Sequence, residues 1–325
     1  MLTKDQLLSY LKKRRGKWVS GELLSNEFSV SRAAIWKHVC KLRDDGCIIE
    51  SSPKKGYLLN QDPDLIIPNE IRDGLSTSLF GQREIEYFKV LGSTNTKAKE
   101  LAEGGAAEGS LIIAESQTDG RGRRGRSWLS PAGEGIYATL ILRPAMSPAG
   151  APKITLMTAV AVADAILSVA ELDVQIKWPN DIMVKGRKLA GILTEISTEM
   201  DSINYIVVGL GLNVNNPDFP EELANQATSI LIETGRSPSR LCLLKAYLEQ
   251  FEKYYRMFIQ GHFKEIMKRW KELSEIIGRE IMIDVVGESH LGKVVDIDDD
   301  GVLILQNGKG EIHRIFSGDV TVVSS

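Results

Sequence analysis

The stretch Gly120-Arg121-Gly122-Arg123-Arg124-Gly125-Arg126-Ser127-Trp128 places four arginines and three glycines in nine residues, directly after an apolar run over residues 110–115. Glycine lets the backbone approach a ligand closely. Arginine presents a fixed fork of donors that suits carboxylate and phosphate oxygens. The stretch therefore reads as a flexible loop that closes on an anion. Gly120, Gly122 and Gly125 satisfy the pattern G-x-G-x-x-G, and Gly120, Gly125, Arg126 and Ser127 nearly satisfy the phosphate-loop pattern. Both patterns need a helix immediately afterwards, because the helix N-terminus holds the phosphate. Here Leu129-Ser130-Pro131-Ala132-Gly133-Glu134-Gly135 follows, which cannot continue a helix. The loop instead joins two strands, residues 110–115 and 135–142.

Outward from that loop the chain alternates strands and helices. A short helix is expected over 69–75 and a strand over 84–90. Leu91-Gly92-Ser93-Thr94-Asn95 is a turn and N-cap, followed by a helix over 96–102. Residues 154–170 are apolar on most faces, which predicts a buried helix. Residues 175–178, 182–184, 188–196 and 205–214 read as further strands, the last holding Gly209 and Gly211, where something approaches the backbone closely. Residues 239–273 are helical, broken near Gly261. The pattern predicts a central mixed β-sheet with helices packed on it.

Upstream, Leu7, Leu8 and Leu11 lie at helical spacing within 3–15. Ser20 caps a second helix over 21–28, with Leu23 and Leu24 inward, and Ser31 caps a third over 32–45. Two alternating segments, 47–50 and 56–59, flank Ser51-Ser52-Pro53-Lys54-Lys55. Helix, helix, short turn, helix and β-ribbon make a winged helix-turn-helix. In the third helix Ile35, Val39 and Leu42 form the core stripe, while Arg32, Ala33, Trp36, Lys37 and Cys40 share the opposite face. Residues 1–60 hold 12 Lys/Arg against 6 Asp/Glu in a chain of net charge −3, so a basic module sits on an acidic body. That asymmetry points to DNA as the partner of the first module. Residues expected on the DNA are Ser31, Arg32, Ala33, Trp36, Lys37 and the wing lysines Lys54 and Lys55.

Residues 60–68 contain two prolines and read as a linker. After Ile277 five short alternating segments separated by Asp298-Asp299-Asp300-Gly301 and Asn307-Gly308 predict a small β-barrel. The whole is an α+β multidomain chain. Residues 1–63 form the winged helix-turn-helix DNA-binding domain, 64–273 the catalytic domain, and 274–325 the small C-terminal β-barrel domain. The three cysteines and four histidines show no metal-ligand spacing and no disulfide framework. The N-terminus has no secretory h-region or cleavage site, and no stretch reads as long enough to span a bilayer. The expectation is a soluble, cytoplasmic protein with no membrane partner.

Three constellations accompany the arginine loop. Ser93-Thr94-Asn95 and Gln117 supply the paired donors and acceptors that a small polar head group needs. Lys177-Trp178-Pro179-Asn180-Asp181 places a cation, an amide and a carboxylate at a strand end. Gly186-Arg187-Lys188-Leu189-Ala190-Gly191 is a tight turn running into a strand. With GRGRRGRSW, KWPND, GRKLAGILTE, STN upstream and GLGLNVN downstream, the chain resembles biotin–protein ligases over essentially its whole length. The winged helix makes it similar to the bifunctional type that also acts as biotin operon repressor.

The resemblance implies a biotin/lipoate ligase-like catalytic domain. It implies that the biotin carboxylate attacks the α-phosphate of ATP, giving biotinyl-5′-AMP, and that an acceptor lysine on a biotin carboxyl carrier domain then takes the biotin. Two anions approach each other in the first step, so fixed positive charge is needed. Arg121, Arg123 and Lys188 are its expected catalytic cations. Ser93, Thr94, Asn95, Gln117, Arg121, Gly122, Arg123 and Lys188 are expected to bind biotin. Trp128, Lys177, Asn180, Asp181 and Asn213 are expected to bind ATP or the adenylate, with Mg²⁺ accompanying ATP near Asn180 and Asp181 and not fixed by protein ligands alone. Biotinyl-5′-AMP is implied as corepressor, operator DNA of biotin genes as target, and a homodimer as the adenylate-bound state. The loop over 117–135 is expected to be mobile until the adenylate orders it. A transcription factor that merely senses biotin has no need of the loop's charge. A lipoate ligase shares the catalytic fold, but the KWPND and GRGRRGR spellings favour biotin.

Overall fold

The computed structural model describes residues 2–44, 46–60, 64–199, 202–285 and 288–323. The chain divides into two compact units, Met1–Glu70 and Ile71–Ser325.

The first unit opens with α1 (Lys4–Lys12), where Thr3 and Gln6 bond reciprocally across the first turn (3.2 and 3.0 Å). Helix α2 (Gly21–Phe28) is capped by Ser20 and closed by Ser29 in the left-handed region (φ 52°). In α3 (Arg32–Asp44) the Ser31 hydroxyl accepts the Ala34 N–H at 3.2 Å, and Ile35, Val39 and Leu42 are buried as their spacing predicts. Strands β1 (Ile49–Ser52) and β2 (Gly56–Leu59) pair antiparallel and form the wing.

Three expectations change here. Leu24 is buried but Leu23 is 46% exposed, because one residue further along a helix turns about 100° away from the core. The first wing strand begins at Ile49 rather than residue 47 and runs on through Ser51 and Ser52. The expected linker is not solvated throughout: Leu65, Ile66 and Ile67 are buried, since three successive apolar side chains are driven from water. Residues 61–63 of that segment, and the expected domain boundary, lie outside the described residues.

Helix α4 (Pro68–Arg72) spans the division between the units. The second unit is built on a seven-stranded sheet of order β3-β4-β5-β9-β8-β7-β6. Strand β3 (Ile85–Leu91) runs parallel to β4 (Leu111–Gln117), joined through α5 (Thr94–Glu103). The remaining strands, β5 (Gly135–Leu142), β6 (Gln175–Lys177), β7 (Asp181–Val184), β8 (Arg187–Glu199) and β9 (Ser202–Asn213), pair antiparallel, so the sheet is mixed. Helix α6 (Ala151–Ala170) packs on β8 and on α8 (Arg240–Ile259), and α9 (Phe263–Glu272) follows the predicted break at Gly261. The short α7 (Ile230–Thr234) has no counterpart in the sequence reading. With its preceding turn, α6 (Pro148–Ala170, mean hydropathy 1.7) is long and apolar enough to cross a membrane by length and composition, contrary to the expectation from sequence. Two-thirds of its most apolar 18-residue window is buried inside the protein, where the helix packs on β8 and α8.

The C-terminal strands, β10 (Glu280–Val285), β11 (Glu288–Ile297), β12 (Leu303–Gln306), β13 (Ile312–Ile315) and β14 (Asp319–Val322), form a five-stranded antiparallel sheet of order β13-β12-β11-β10-β14. It is fastened to the larger sheet's layer. The buried Trp178 indole N–H donates to the Gly301 carbonyl at 3.2 Å, and Lys153 pairs with Asp300 at 2.7 Å.

Glu252 on α8 shows how one buried carboxylate orders a segment. It accepts the backbone N–H groups of Ser78 (2.9 Å), Leu79 (2.8 Å) and Phe80 (3.1 Å) and pairs with Arg256. Burial pushes its pKa up, but those N–H donors outweigh burial and hold it below the usual carboxylate range. A depressed folded-state pKa adds stability above the unfolded-state value, which is lost as pH falls through the folded-state value. Glu252→Gln should therefore cost on the order of 1–3 kcal/mol at pH 7. The deficit should shrink as denaturation is repeated at successively lower pH below the ordinary glutamate range. A pH-independent deficit would show that the charge is not what stabilises the turn.

Candidate active site

The catalytic and small-molecule-binding residues foreseen from sequence all line one cavity of about 420 Å³ on the second unit. At one end Ser93 is the N-cap of α5 but makes no side-chain capping bond. The Thr94 N–H and hydroxyl both donate to Gln117 Oε1 (2.8 and 3.1 Å), and Gln117 Nε2 donates to Ser130 Oγ at 2.9 Å. Gln117 is thus fixed at both ends of its amide. Asn95 is buried: its Nδ2 donates to the Leu193 carbonyl (3.1 Å) and Glu195 Oε2 (2.9 Å), and its Oδ1 accepts the Thr139 hydroxyl at 2.8 Å. A Cβ on Gly209 would stand 2.0 Å from Asn95 Oδ1, so the glycine foreseen as a close approach makes room for this amide. Glu195 also takes Lys99 at 2.7 Å. Burial pushes its pKa up, but the Lys99 and Asn95 donors prevail and keep it low.

The other end is cationic. The arginine stretch folds as a tight hairpin: Gly122 N–H donates to the Arg126 carbonyl at 2.7 Å and Trp128 N–H to the Gly120 carbonyl at 2.8 Å. Arg124 (φ 55°) and Gly125 (φ 73°) turn the chain. Arg121 is turned to its neighbour Asp119 at 2.9 Å. Arg123 Nη1 donates to Asn180 Oδ1 (2.9 Å) and the Gly318 carbonyl (3.2 Å) and lies 3.5 Å from Asp319. Burial lowers its pKa, opposed by Asp319 and Asp181. Asp319 also meets Arg124 (3.4 Å) and Arg126 (2.8 Å). One carboxylate, only 18% exposed and at the start of β14, thus faces three guanidiniums of the loop. Sequence reasoning missed Asp319, because it lies in another sheet far along the chain and no local motif marks it.

Lys188 on β8 pairs with Asp181 on β7 at 2.7 Å, and its ammonium lies 5.5 Å from the centre of the Trp128 ring. Trp128 rests on bare backbone. A Cβ on Gly211 would come within 2.5 Å of the indole, and one on Gly191, its partner in the β8–β9 register, within 3.2 Å. The indole N–H is buried without a partner. Lys177 and Asn213 also line the cavity, and Asn213 Nδ2 donates to the Thr228 carbonyl at 3.1 Å. Phe219, Leu223 and Gln226 complete a wall that the sequence reading did not foresee.

Asn180 and Asp181 do not form a cradle for Mg²⁺. Asn180 Oδ1 accepts from Arg123, and Asp181 Oδ1 takes the Lys188 ammonium and Asn180 Nδ2. Among the described residues no cluster of three His, Cys, Asp or Glu side chains is poised for a metal.

On the first unit, Ala33, Trp36 and Lys37 are exposed along α3, Trp36 by 59%. Ser31 caps that helix, and Arg32 pairs with exposed Glu22 at 2.9 Å. In the wing Lys54 and Lys55 are exposed, with the Lys55 ammonium 5.6 Å from the Trp18 ring.

Comparison with known proteins places these features. A model described as the biotin/lipoate A/B protein ligase family matches residues 87–213, one described as an HTH domain matches 3–58, and one described as the biotin protein ligase C terminal domain matches 276–323. The chain is 39% identical over 321 residues to the bifunctional ligase/repressor BirA of Bacillus subtilis, covering 98% of both chains. It is 31% identical over 310 residues to that of Escherichia coli, covering 95% of this chain and 94% of the relative. The solved biotin protein ligase of Aquifex aeolicus in complex with biotin and ATP superposes with a TM-score of 0.65 at 28% identity, covering 74% of this chain and 99% of that one.

The Asp319 contact yields a test of its own. Asp319→Asn should free the loop's guanidiniums and raise the rate of tryptic cleavage after Arg121, Arg123, Arg124 and Arg126 several-fold, read by mass spectrometry of the fragments. Unchanged cleavage would mean that the backbone hydrogen bonds alone hold the hairpin.

Proposed function

The chain belongs to the family of bifunctional biotin ligase/repressors, and from that membership we propose that it joins biotin to ATP, transfers the biotin to an acceptor lysine and represses biotin genes. The observation that carries the reading is the cavity itself. It unites a fixed amide and hydroxyl end, suited to a small polar ring, with a cationic end suited to two anions brought together.

The chain's residues divide the work as follows. Ser93, Thr94 and Gln117 meet the ureido head of biotin, with Asn95 and Glu195 as the buried struts beneath them. Biotin's carboxylate is directed to the cationic end, where an oxygen bonds to the α-phosphorus of ATP as the bond to the pyrophosphate oxygen breaks. Arg123 and Lys188 offset the charge gathered there, and Arg121 joins them by leaving Asp119. Lys177, Asn180, Asp181 and Asn213 border the nucleotide, and the Trp128 ring meets the adenylate. Mg²⁺ enters on the phosphates of ATP. In the second step the neutral amine of an acceptor lysine attacks the acyl carbon, the acyl bond to the AMP phosphate oxygen breaks, AMP departs, and the proton lost by the nitrogen passes to the phosphate oxygen or to solvent. The polar groups at one end, the cations at the other and the confined volume keep the reacting atoms close, which supplies much of the rate. No enzyme-bound acyl intermediate is needed.

The partners follow the same reading: a biotin carboxyl carrier domain for the second step, and operator DNA for α3 and the wing. Biotinyl-5′-AMP acts as corepressor by setting the arginine hairpin and preparing a homodimer, which presents two winged helices to a two-fold operator. The adenylate and operator then tighten each other's binding by one common factor. The cytoplasm, where carrier and genome are both found, is the expected location.

Two variants test both halves. Arg121→Ala should slow biotin transfer to a carrier domain by the equivalent of about 2–4 kcal/mol, read as mass gained by the carrier, and should also weaken the adenylate-dependent operator footprint of the whole chain. Trp36→Ala should abolish the operator footprint and leave transfer at the unmodified chain's rate. Full transfer by the Arg121 variant would remove that residue from the chemistry. A retained footprint in the Trp36 variant would remove α3's outer face from DNA recognition.

A further inference from the structure

A second buried carboxylate lies behind the active site, outside the cavity. The side chain of Glu233, on α7, is 1% exposed. It accepts from Arg187 at 2.5 Å, from Lys185 at 3.1 Å and from the Thr228 hydroxyl at 2.7 Å. Burial pushes its pKa up, but these donors keep it below the usual carboxylate range, so it stays ionised. Lys185 and Arg187 flank the β7–β8 turn, and the residue that follows them is Lys188. The Lys188 N–H donates to the Gln226 carbonyl at 2.7 Å, and its carbonyl accepts the Thr228 N–H at 2.9 Å. The segment between is compact: Leu223 N–H bonds to the Pro220 carbonyl, and Gln226 and Ala227 N–H groups bond to the Leu223 carbonyl, each at 2.8 Å. That segment supplies the cavity wall of Phe219, Leu223 and Gln226.

We propose that Glu233 is a positioning residue for the nucleotide half of the reaction: it locks Lys188 and the facing wall into one register, and so sets the hold on ATP far more than the hold on biotin, which meets this end of the cavity through its carboxylate alone. The inference rests on the ligase reading above. One ionised group gathers the turn before Lys188 and Thr228 behind the wall, so loss of its charge loosens both sides of the phosphate and base end together. The biotin end is held by a separate set of bonds among Thr94, Gln117, Ser130, Asn95 and Glu195, none of which involves Glu233. A site built on two independent supports gives separable effects on its two substrates. Burying a carboxylate between a lysine, an arginine and a hydroxyl is costly unless all three partners are kept, which gives the cluster its specificity for one arrangement.

Biotin-dependent exchange of labelled pyrophosphate into ATP, measured on the full chain over a grid of ATP and biotin concentrations, is the test. Glu233→Gln keeps the shape and removes the charge. It should raise the KM for ATP about tenfold or more, the effect of losing charge-assisted bonds, with a several-fold smaller rise in the KM for biotin. Thr228→Val, which removes only the hydroxyl link, should give a smaller shift of the same kind and covers the case in which the first variant does not fold. Equal rises in both KM values, or no rise in either, would overturn the proposal. Absence of exchange in the unmodified chain would overturn the ligase reading itself, and this inference with it.

Discussion

Four guanidiniums within six residues repel one another, and the whole site depends on how that repulsion is managed. At 4 Å and an effective dielectric of about 20, two like charges oppose each other by about 4 kcal/mol. The loop has no acid between its arginines with which to offset this. Asp119 takes Arg121 from one side, and Asp319 takes Arg123, Arg124 and Arg126 from the C-terminal sheet. The hairpin's backbone bonds then act on a segment whose charges are already partnered. Arg123 is carried inward to Asn180, and the cationic wall faces the amide end across the cavity. The C-terminal sheet therefore belongs to the active site's electrostatics, although no lining residue other than Asp319 comes from it.

The cations are not left bare elsewhere either. Lys188 holds Asp181, and Arg187 with Lys185 holds Glu233. On the proposed reading the Lys188–Asp181 pair and the Arg121–Asp119 pair, both at the cavity, are the ones that give way to a phosphate or carboxylate oxygen, while the buried Glu233 cluster stays in place. A site of this kind binds anions by substitution, so that a protein carboxylate is displaced as the substrate's oxygen arrives. On the proposed reading the same substitution carries the signal to the operator. The adenylate takes over charges that acidic side chains held, and the hairpin settles into the arrangement that a second copy recognises.

What is legible in the sequence is what has a local cause. The strand–loop–strand reading of 110–142 follows from a proline and two glycines where a phosphate-binding helix would have to be, and the sheet bears it out. The core stripe Ile35, Val39 and Leu42 follows from helical spacing. Gly209 and Gly211 mark close approach, but the groups that approach, Asn95 and Trp128, are brought there by the fold. The misses have non-local or marginal causes. Asp319 is set against the loop by tertiary packing alone, and the wall from Phe219 to Gln226 lies in an irregular segment with no period to read. Leu23 fails because α2 turns only Leu24 to the core, where α1 buries both of its adjacent leucines, Leu7 and Leu8. Helix α6 is buried, as its apolar faces predict, but it begins at Ala151 rather than residue 154. Proline ends a helical pattern except in the first turn, and Pro152 stands in that first turn.

The central claim is that one cavity, with cations already in place, joins biotin to the nucleotide without help from any other protein. The direct measurement is mass spectrometry of the small molecule retained by the 325-residue chain after incubation with ATP, Mg²⁺ and biotin, with no carrier domain present. The account predicts bound biotinyl-5′-AMP, with pyrophosphate released in equal amount. Recovery of unmodified biotin alone would contradict it, and would leave a cavity that senses biotin without activating it.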